Sequence, residues 1–279
     1  MITLMPLKKL SSLDLWSRRV LRFGGLWRNI VRGSLRVIRN EFAAYGAQWA
    51  GQGTGAPLAR VDPFGSYPNR FATPMTVIDI GGSHGQFVSE ALRAFPAAKI
   101  YSFEPLPECF EELQQIARQH PALHPRQLAL SDAAGFDDFN VSSFSDSSSF
   151  QRMLPKHLEA WPHTATKECI RVEKARLDDQ FDPVELARPI FIKIDVQGHE
   201  LQVIRGGRQV LAASQRVMIE CNFANLYDGQ PGFDELHREM RELGFLLDCL
   251  ISPLRHPVTG ELMSSDLIYF RPLSDRKDP

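Results

Sequence analysis

No C-x-x-C pair and no Cys/His cluster occurs among the four cysteines, Cys109, Cys169, Cys221 and Cys249. Neither a zinc site nor a dithiol motif is therefore indicated. Cys109, Cys221 and Cys249 sit in apolar surroundings, as expected for core thiols in a reducing cytoplasm. No apolar run approaches the ~20 residues of a membrane span. Lys8 and Lys9 are not followed by an apolar stretch with a small-residue cleavage site, which speaks against a secretory signal. No internal repeat is present. Charge of one sign is also missing overall, since the chain nets −1. That balance hides an asymmetry. Residues 1–40 hold nine Lys or Arg and one acid, Asp14, a net of +8, so the remainder nets −9. An acidic body lacks the positive footprint that nucleic-acid binding requires.

What is present is ordinary globular material. The hydrophobic fraction is 43% and the charged fraction 23% of 279 residues, enough to bury a sizeable core. Residues 11–43 read as helix, with Trp16, Val20, Phe23, Trp27, Ile30, Ile38 and Phe42 forming an apolar stripe. The glycines at 24, 25 and 33 weaken that helix and leave room for two. Such a basic amphipathic helix could rest on an anionic membrane surface, which would make the protein peripheral to the inner membrane. Packing on the main body of the chain or on a second subunit of a homo-oligomer is the alternative. Residues 51–75 are rich in Gly and Pro and read as a linker or irregular wrap. The expected organisation is a helical basic extension over 1–70, a main domain over 71–273, and a tail over 274–279.

From residue 76 strands and helices alternate. Strands are expected at 76–80, 98–103, 127–130, 189–195, 216–222, 245–251 and 266–270. Helices are expected at 86–95, 107–118, 199–211 and 233–243. Two extra strands, 139–141 and 170–177, flank a serine-rich run. Continuous apolar strands imply a mainly parallel sheet with helices on both faces. The last two strands have no helix between them and should pair antiparallel at one edge.

Three stretches carry chemistry. In Asp79-Ile-Gly81-Gly82-Ser83-His84-Gly85 a strand runs into a helix through glycines, which lets a ligand approach the backbone and the helix N-terminus. Glu104 ends the next strand, 23 residues after Gly81, where a carboxylate can take both hydroxyls of a ribose. The pairing signals an adenosine-bearing cofactor. The dinucleotide fingerprint G-x-G-x-x-G is broken, because Ser83 and Gln86 stand at its second and third glycines. D-x-G-x-x-x-G fits instead, through Asp79, Gly81 and Gly85. In the second stretch, Ser131-Asp132 follows a strand where an adenine edge would lie, though a capped turn reads equally well. In the third, Asp195 ends an apolar strand interrupted only by Lys193, and Gly198, His199 and Glu200 open the next helix. An acid at the end of a buried strand needs a partner.

Taken together and in this order, Asp79-Ile-Gly-Gly-Ser-His-Gly85, Phe103-Glu-Pro105, Ala129-Leu-Ser-Asp132 and Lys193-Ile-Asp-Val-Gln-Gly-His-Glu200 resemble the FkbM-type methyltransferase family. The resemblance extends to Glu220, Asn222, Gly244-Phe245 and Asp266, over roughly residues 72–272. Two departures stand out: Ser83 where the family usually has Asn, and Gln197 where it often has Glu. The resemblance implies a Rossmann-like methyltransferase fold that uses S-adenosylmethionine to O-methylate a hydroxyl of a sugar, glycan or natural product. Asp79, Gly81, Gly82, Ser83, Gly85, Glu104, Ser131, Asp132 and Asp195 would bind the cofactor.

A hydroxyl acceptor needs a base or a metal. His199 is the candidate base by residue type, with Asp195 and Glu220 as the other catalytic candidates. Asp195, Glu220 and Asn222 could alternatively hold Mg²⁺ through oxygen ligands, although a metal-free site is the favoured reading. Ser148, Ser149, Asn222 and Tyr227 are candidates for the acceptor pocket; a merely solvated loop is the plain reading of the serine run. A nicotinamide-dependent oxidoreductase is disfavoured by the broken fingerprint and by the lack of a Tyr-x-x-x-Lys pair. A non-catalytic domain is disfavoured by the intact acidic positions.

Overall fold

The computed structural model describes residues 73–272. The readings of residues 11–43 as a helix, a membrane-surface anchor or a subunit contact lie outside the described residues, as does the 274–279 tail. Among the described residues no helix is long and apolar enough to cross a membrane.

In chain order the main elements are β1 (Thr76–Ile80), α1 (Gln86–Ala94), β2 (Lys99–Phe103), α2 (Pro107–Gln119), β3 (Leu123–Arg126), β4 (Ala129–Leu130), β5 (Gly135–Ser142), α3 (Pro155–Ala160) and β6 (Thr166–Ala175). They continue with β7 (Ile190–Ile194), α4 (Glu200–Gly206), α5 (Arg208–Ala213), β8 (Arg216–Asn222), α6 (Phe233–Glu242), β9 (Leu246–Arg255) and β10 (Leu262–Phe270). The central sheet has the order β3-β2-β1-β7-β8-β10-β9. β3, β2, β1, β7 and β8 run parallel. β10 runs antiparallel to both β8 and β9. This is a Rossmann-like α/β sheet, mainly parallel with an antiparallel last strand. That strand is not at the edge, because β10 inserts between β8 and β9.

Pleating sorts each strand to two cores. Ile78 and Ile80 of β1 join Ile192 and Ile194 under Leu201, Val203, Leu211, Leu236 and Met240 of α4, α5 and α6. Val77 and Phe191 point the other way, to Phe87, Val88, Ala91 and Leu113 of α1 and α2. All five residues of β1 and of β7 are buried. Each fully buried Val, Leu or Ile contributes about 1.5–3 kcal/mol, so a central strand covered on both faces tolerates little change. The sheet order reverses between β1 and β7, and ligands of doubly wound sheets bind outside the carboxyl ends at such a point.

Two readings of the sequence need correction. The third strand of the main sheet is Leu123–Arg126, not 127–130, and it contains Pro125. Proline reads as a strand breaker, but β3 is an edge strand, where a missing N–H leaves no partner unsatisfied. Ala129–Leu130 belongs instead to a second sheet of order β4-β6-β5, in which β5 and β6 are antiparallel. The expected 199–211 helix is two helices that meet at Gly207. The second sheet lies against α4, where a Cβ on Gly206 would stand 1.9 Å from the Ser131 carbonyl oxygen.

Candidate active site

The turn after β1 is built so that its backbone can be approached. Gly81, Ser83 and Gly85 all have positive φ, of 83°, 42° and 75°. A Cβ on Gly81 would fall 1.9 Å from the Asp195 carbonyl oxygen, so glycine is required for the β1 and β7 exits to meet. The Gly81 and Gly82 N–H groups both donate to the Phe103 carbonyl at 3.0 Å, which ties the turn to the end of β2. Asp79 lies beneath it, fully buried. Its Oδ2 accepts from Ser102 Oγ at 2.8 Å, and its Oδ1 lies 3.7 Å from Lys193 Nζ without a hydrogen bond. Burial pushes the Asp79 carboxyl up to about 6 against the pull of Lys193. Asp79 is thus a strut under the turn.

Glu104 sits where the strand-end position promised. Its Oε2 accepts from the Ser83 N–H and its Oε1 from the Leu106 N–H, each at 2.8 Å. Burial raises it to about 7 in spite of these donors. Each oxygen keeps a second lone pair, so the carboxylate can still receive two hydroxyls.

Lys193, which the sequence shows only as a lone polar side chain in an apolar strand, proves central. Its Nζ stands 3.1 Å from Asp195 Oδ2 and 3.5 Å from the Gly81 carbonyl. Burial pushes its ammonium down, but Asp195 and Asp79 more than reverse this and hold it above its usual value. In return, burial works to raise Asp195, yet Lys193 keeps it below the usual carboxylate range. Burial and then the charge of Asp195 hold Glu220 well above its usual value. The two carboxyls are thus shifted in opposite directions, Asp195 down and Glu220 up. The Gln197 amide joins them, with Nε2 2.8 Å from Asp195 Oδ1 and 2.6 Å from Glu220 Oε2.

His199 does not join this pair. Its Nε2 lies 2.9 Å from Ser131 Oγ and its Nδ1 3.3 Å from Gln151 Nε2. Ser131 Oγ donates onward to Asp132 Oδ1 at 3.2 Å. A consistent proton arrangement has Gln151 donating to Nδ1 and Nε2–H donating to Ser131, which makes the imidazole neutral. Burial lowers it to about 4. The structure thus separates the three catalytic candidates, leaving His199 with Ser131 and Asp132.

The serine-rich run is not merely a solvated loop. Residues 145–147 form a 3-10 turn over the glycine turn. Ser83 Oγ donates to Asp146 Oδ1, and His84 Nε2 lies 2.6 Å from Ser145 Oγ. At the other end Ser149 Oγ donates to the Gln197 carbonyl at 2.7 Å. The fully buried Tyr227 places its hydroxyl 2.7 Å from Gln197 Oε1 and 3.2 Å from the Ser147 carbonyl. The segment therefore roofs the crevice between the β1 and β7 turns. Ser148 supplies its Oγ to the Ser142 N–H within the segment, and Asn222 is buried at the end of β8. Gln151 and Asp146 carried no signal in the sequence beyond being polar, because their partners come from distant segments, and Gln197 stood out only as a departure from the family pattern.

The family model for the methyltransferase FkbM domain matches residues 79–247. The curated relative NoeI, a 2-O-methyltransferase of Sinorhizobium fredii, is 29% identical over 160 residues, covering 55% of this chain and 66% of NoeI. AglP, a hexuronic acid methyltransferase of Haloferax volcanii, is 24% identical over 143 residues, 51% of this chain and 54% of AglP. The matched region thus spans less than two thirds of either relative. The crystal structure of methyltransferase FkbM from Methylobacillus flagellatus KT aligns with a TM-score of 0.48 at 15% identity, covering 75% of this chain and 46% of that one. Since the family model runs from Asp79 through the whole strand-end cluster, over more than half of the sequence, the chain belongs to the FkbM methyltransferase-domain family.

Proposed function

We propose that this chain is an S-adenosylmethionine-dependent O-methyltransferase acting on a hydroxyl of a sugar, glycan or natural product. The observation that carries the reading is the Asp195–Glu220 pair. Two carboxyls shifted in opposite directions and joined through the Gln197 amide stand at the reversal point of the sheet, next to a glycine turn and an acid suited to a ribose. A sugar hydroxyl is a weak nucleophile, and its proton must leave as the methyl group arrives. NoeI is named as a 2-O-methyltransferase and AglP as acting on hexuronic acid, which favours a sugar hydroxyl here.

The residues present fit the cofactor. Glu104 keeps free lone pairs for the ribose hydroxyls, Ser131 and Asp132 are the candidates for the adenine edge, and Gly81 to Gly85 leave room beside the methionine part. When bound, S-adenosylmethionine supplies a methyl group activated by its sulfonium, and transfer needs donor and acceptor in line. Asp195 accepts the proton of the acceptor hydroxyl. Its side chain is 31% exposed and reaches the crevice. Lys193 holds the carboxylate ionised. His199, neutral and engaged at both nitrogens, lines the site without serving as base. Asn222 and Tyr227 border the acceptor side.

A cation held by Asp195, Glu220 and Asn222 is the competing arrangement. The Gln197 amide already occupies the gap between the two carboxyls, and Lys193 already neutralises Asp195. Radiolabelled S-adenosylmethionine offered with hexuronic acids and methyl glycosides, with and without chelator, tests the proposal. Transfer that persists in chelator and is lost in Asp195→Asn is the expected result. Failure to bind the demethylated cofactor would sink it, and activity abolished by chelator and restored by Mg²⁺ would hand the role of Asp195 to a metal site.

A further inference from the structure

Gln197 is held at more points than its place in a turn requires. Its backbone lies in the left-handed region, with φ 55°, a conformation that costs a residue with a Cβ and persists only where its surroundings impose it. The surroundings are visible. Its carbonyl accepts from Ser149 Oγ at 2.7 Å. Its two amide protons go to different carboxyls, Asp195 and Glu220. Its Oε1 takes the Tyr227 hydroxyl at 2.7 Å, which fixes the orientation of the amide, since the reversed group would turn an oxygen onto both carboxyls. Tyr227 in turn reaches the Ser147 carbonyl of the roof.

We propose that Gln197 is a positioning residue that aligns the Asp195–Glu220 pair and makes that alignment depend on closure of the 142–150 segment over the crevice. The inference rests on the methyl-transfer reading above. A carboxylate at this position, common in the family pattern, has no donor to offer and sets a third acceptor against the other two. The neutral amide satisfies both carboxyls without adding charge. Opening the roof withdraws Ser149 from the Gln197 carbonyl and Ser147 from Tyr227. The amide is then free to rotate, and the carboxyls lose the donor that orients them. Two segments far apart in sequence thereby act on one pair of oxygens.

The test uses the full chain and two readouts. In a ¹³C,¹⁵N-labelled sample, the Gln197 side-chain amide protons, assigned through their through-bond correlations to the Gln197 backbone, should exchange slowly with solvent. Tyr227→Phe should speed that exchange by about 2- to 10-fold, since one hydrogen bond is worth about 0.5–1.5 kcal/mol. With labelled S-adenosylmethionine and a methyl glycoside acceptor, Gln197→Glu should lower kcat by about 10- to 100-fold, as small misplacements of reacting groups do. The KM for the donor should change by less than about threefold. Turnover of Gln197→Glu within about twofold of the parent overturns the proposal. So does a kcat loss matched by lost donor affinity and early melting, which marks a structural role. If Gln197→Glu does not fold, Tyr227→Phe with unchanged exchange overturns it by itself. A parent protein that methylates no acceptor refutes the proposed function, whereas the exchange measurement still decides the role of Gln197.

Discussion

Lys193 Nζ lies 3.1 Å from Asp195 Oδ2, and the two residues project from the same face at the end of β7. The contact is not a surface ion pair, for Lys193 also faces the fully buried Asp79 at 3.7 Å. Removing the cation would leave Asp79 buried without a countercharge. Lys193→Met should therefore destabilise the protein by about 3–5 kcal/mol. The loss should grow above pH 6, where Asp79 with its raised value of about 6 must ionise. Urea denaturation at pH 5 and pH 8 measures both the loss and its trend; an equal loss at the two values would contradict the assignment of Lys193 to Asp79.

Glu104→Gln should weaken binding of the demethylated cofactor by about 1–3 kcal/mol at pH 8, the worth of hydrogen bonds to a charged group. The parent carboxyl is raised to about 7 by burial. Ribose hydroxyls donate better to its ionised form, so parent affinity should climb as pH rises through 7. The variant should show no such climb. Calorimetry across pH 6–8 is the measurement.

Asp195→Asn should fold and lose about 10²–10⁴ in turnover, the range for a positioned base. His199→Gln should retain most activity and keep the parent pH profile, because the imidazole is neutral and occupied at both nitrogens. A profile that changes only in the His199 variant would reverse the two roles.

Glu200 is buried and accepts from the Val196 and Gly198 N–H groups, at 3.2 and 3.0 Å. Burial raises it to about 7. Between its ordinary value and 7 the native state holds a proton that the unfolded chain has released. Native stability must then fall as pH rises across that window. Glu200→Gln keeps the acceptor and has no proton to lose. Relative to the parent it should gain stability between pH 5 and pH 8, by up to about 3 kcal/mol. Paired denaturation curves at the two pH values decide it.

Gly206→Ala tests the seam between the sheets. A Cβ there would meet the Ser131 carbonyl oxygen at 1.9 Å, backbone against backbone, so neither side can rotate away. A loss of about 1–3 kcal/mol or more is expected from such overpacking. Thermal melting that leaves the midpoint unchanged would show that the seam is loose.

The sequence by itself determined the order and type of the elements. Val77–Ile80 and Ile190–Ile194 are β-branched runs that only a doubly covered parallel strand can bury. The glycines at 81 and 85 and the acid at 104 follow from local turn geometry and strand length, which a linear pattern records. The third strand was misplaced at 127–130, because the strand that pairs with β2 is Leu123–Arg126, and its place at the edge, which admits Pro125, is decided by its neighbours and not by its own residues. The sequence brought Asp195 and Glu220 together only as possible metal ligands, and that His199 stands apart from them was decided by the fold. Asp195 and His199 are four residues apart in sequence, but the left-handed turn at Gln197 and Gly198 sends them in different directions. Glu220, 25 residues on, returns through β8 because parallel pairing sets Ile194 beside Ile219. The roof is wholly a tertiary matter: Ser145, Asp146 and Ser149 are ordinary polar residues in the sequence, and they acquire partners only when β5 and β6 hold their segment across the ends of β1 and β7.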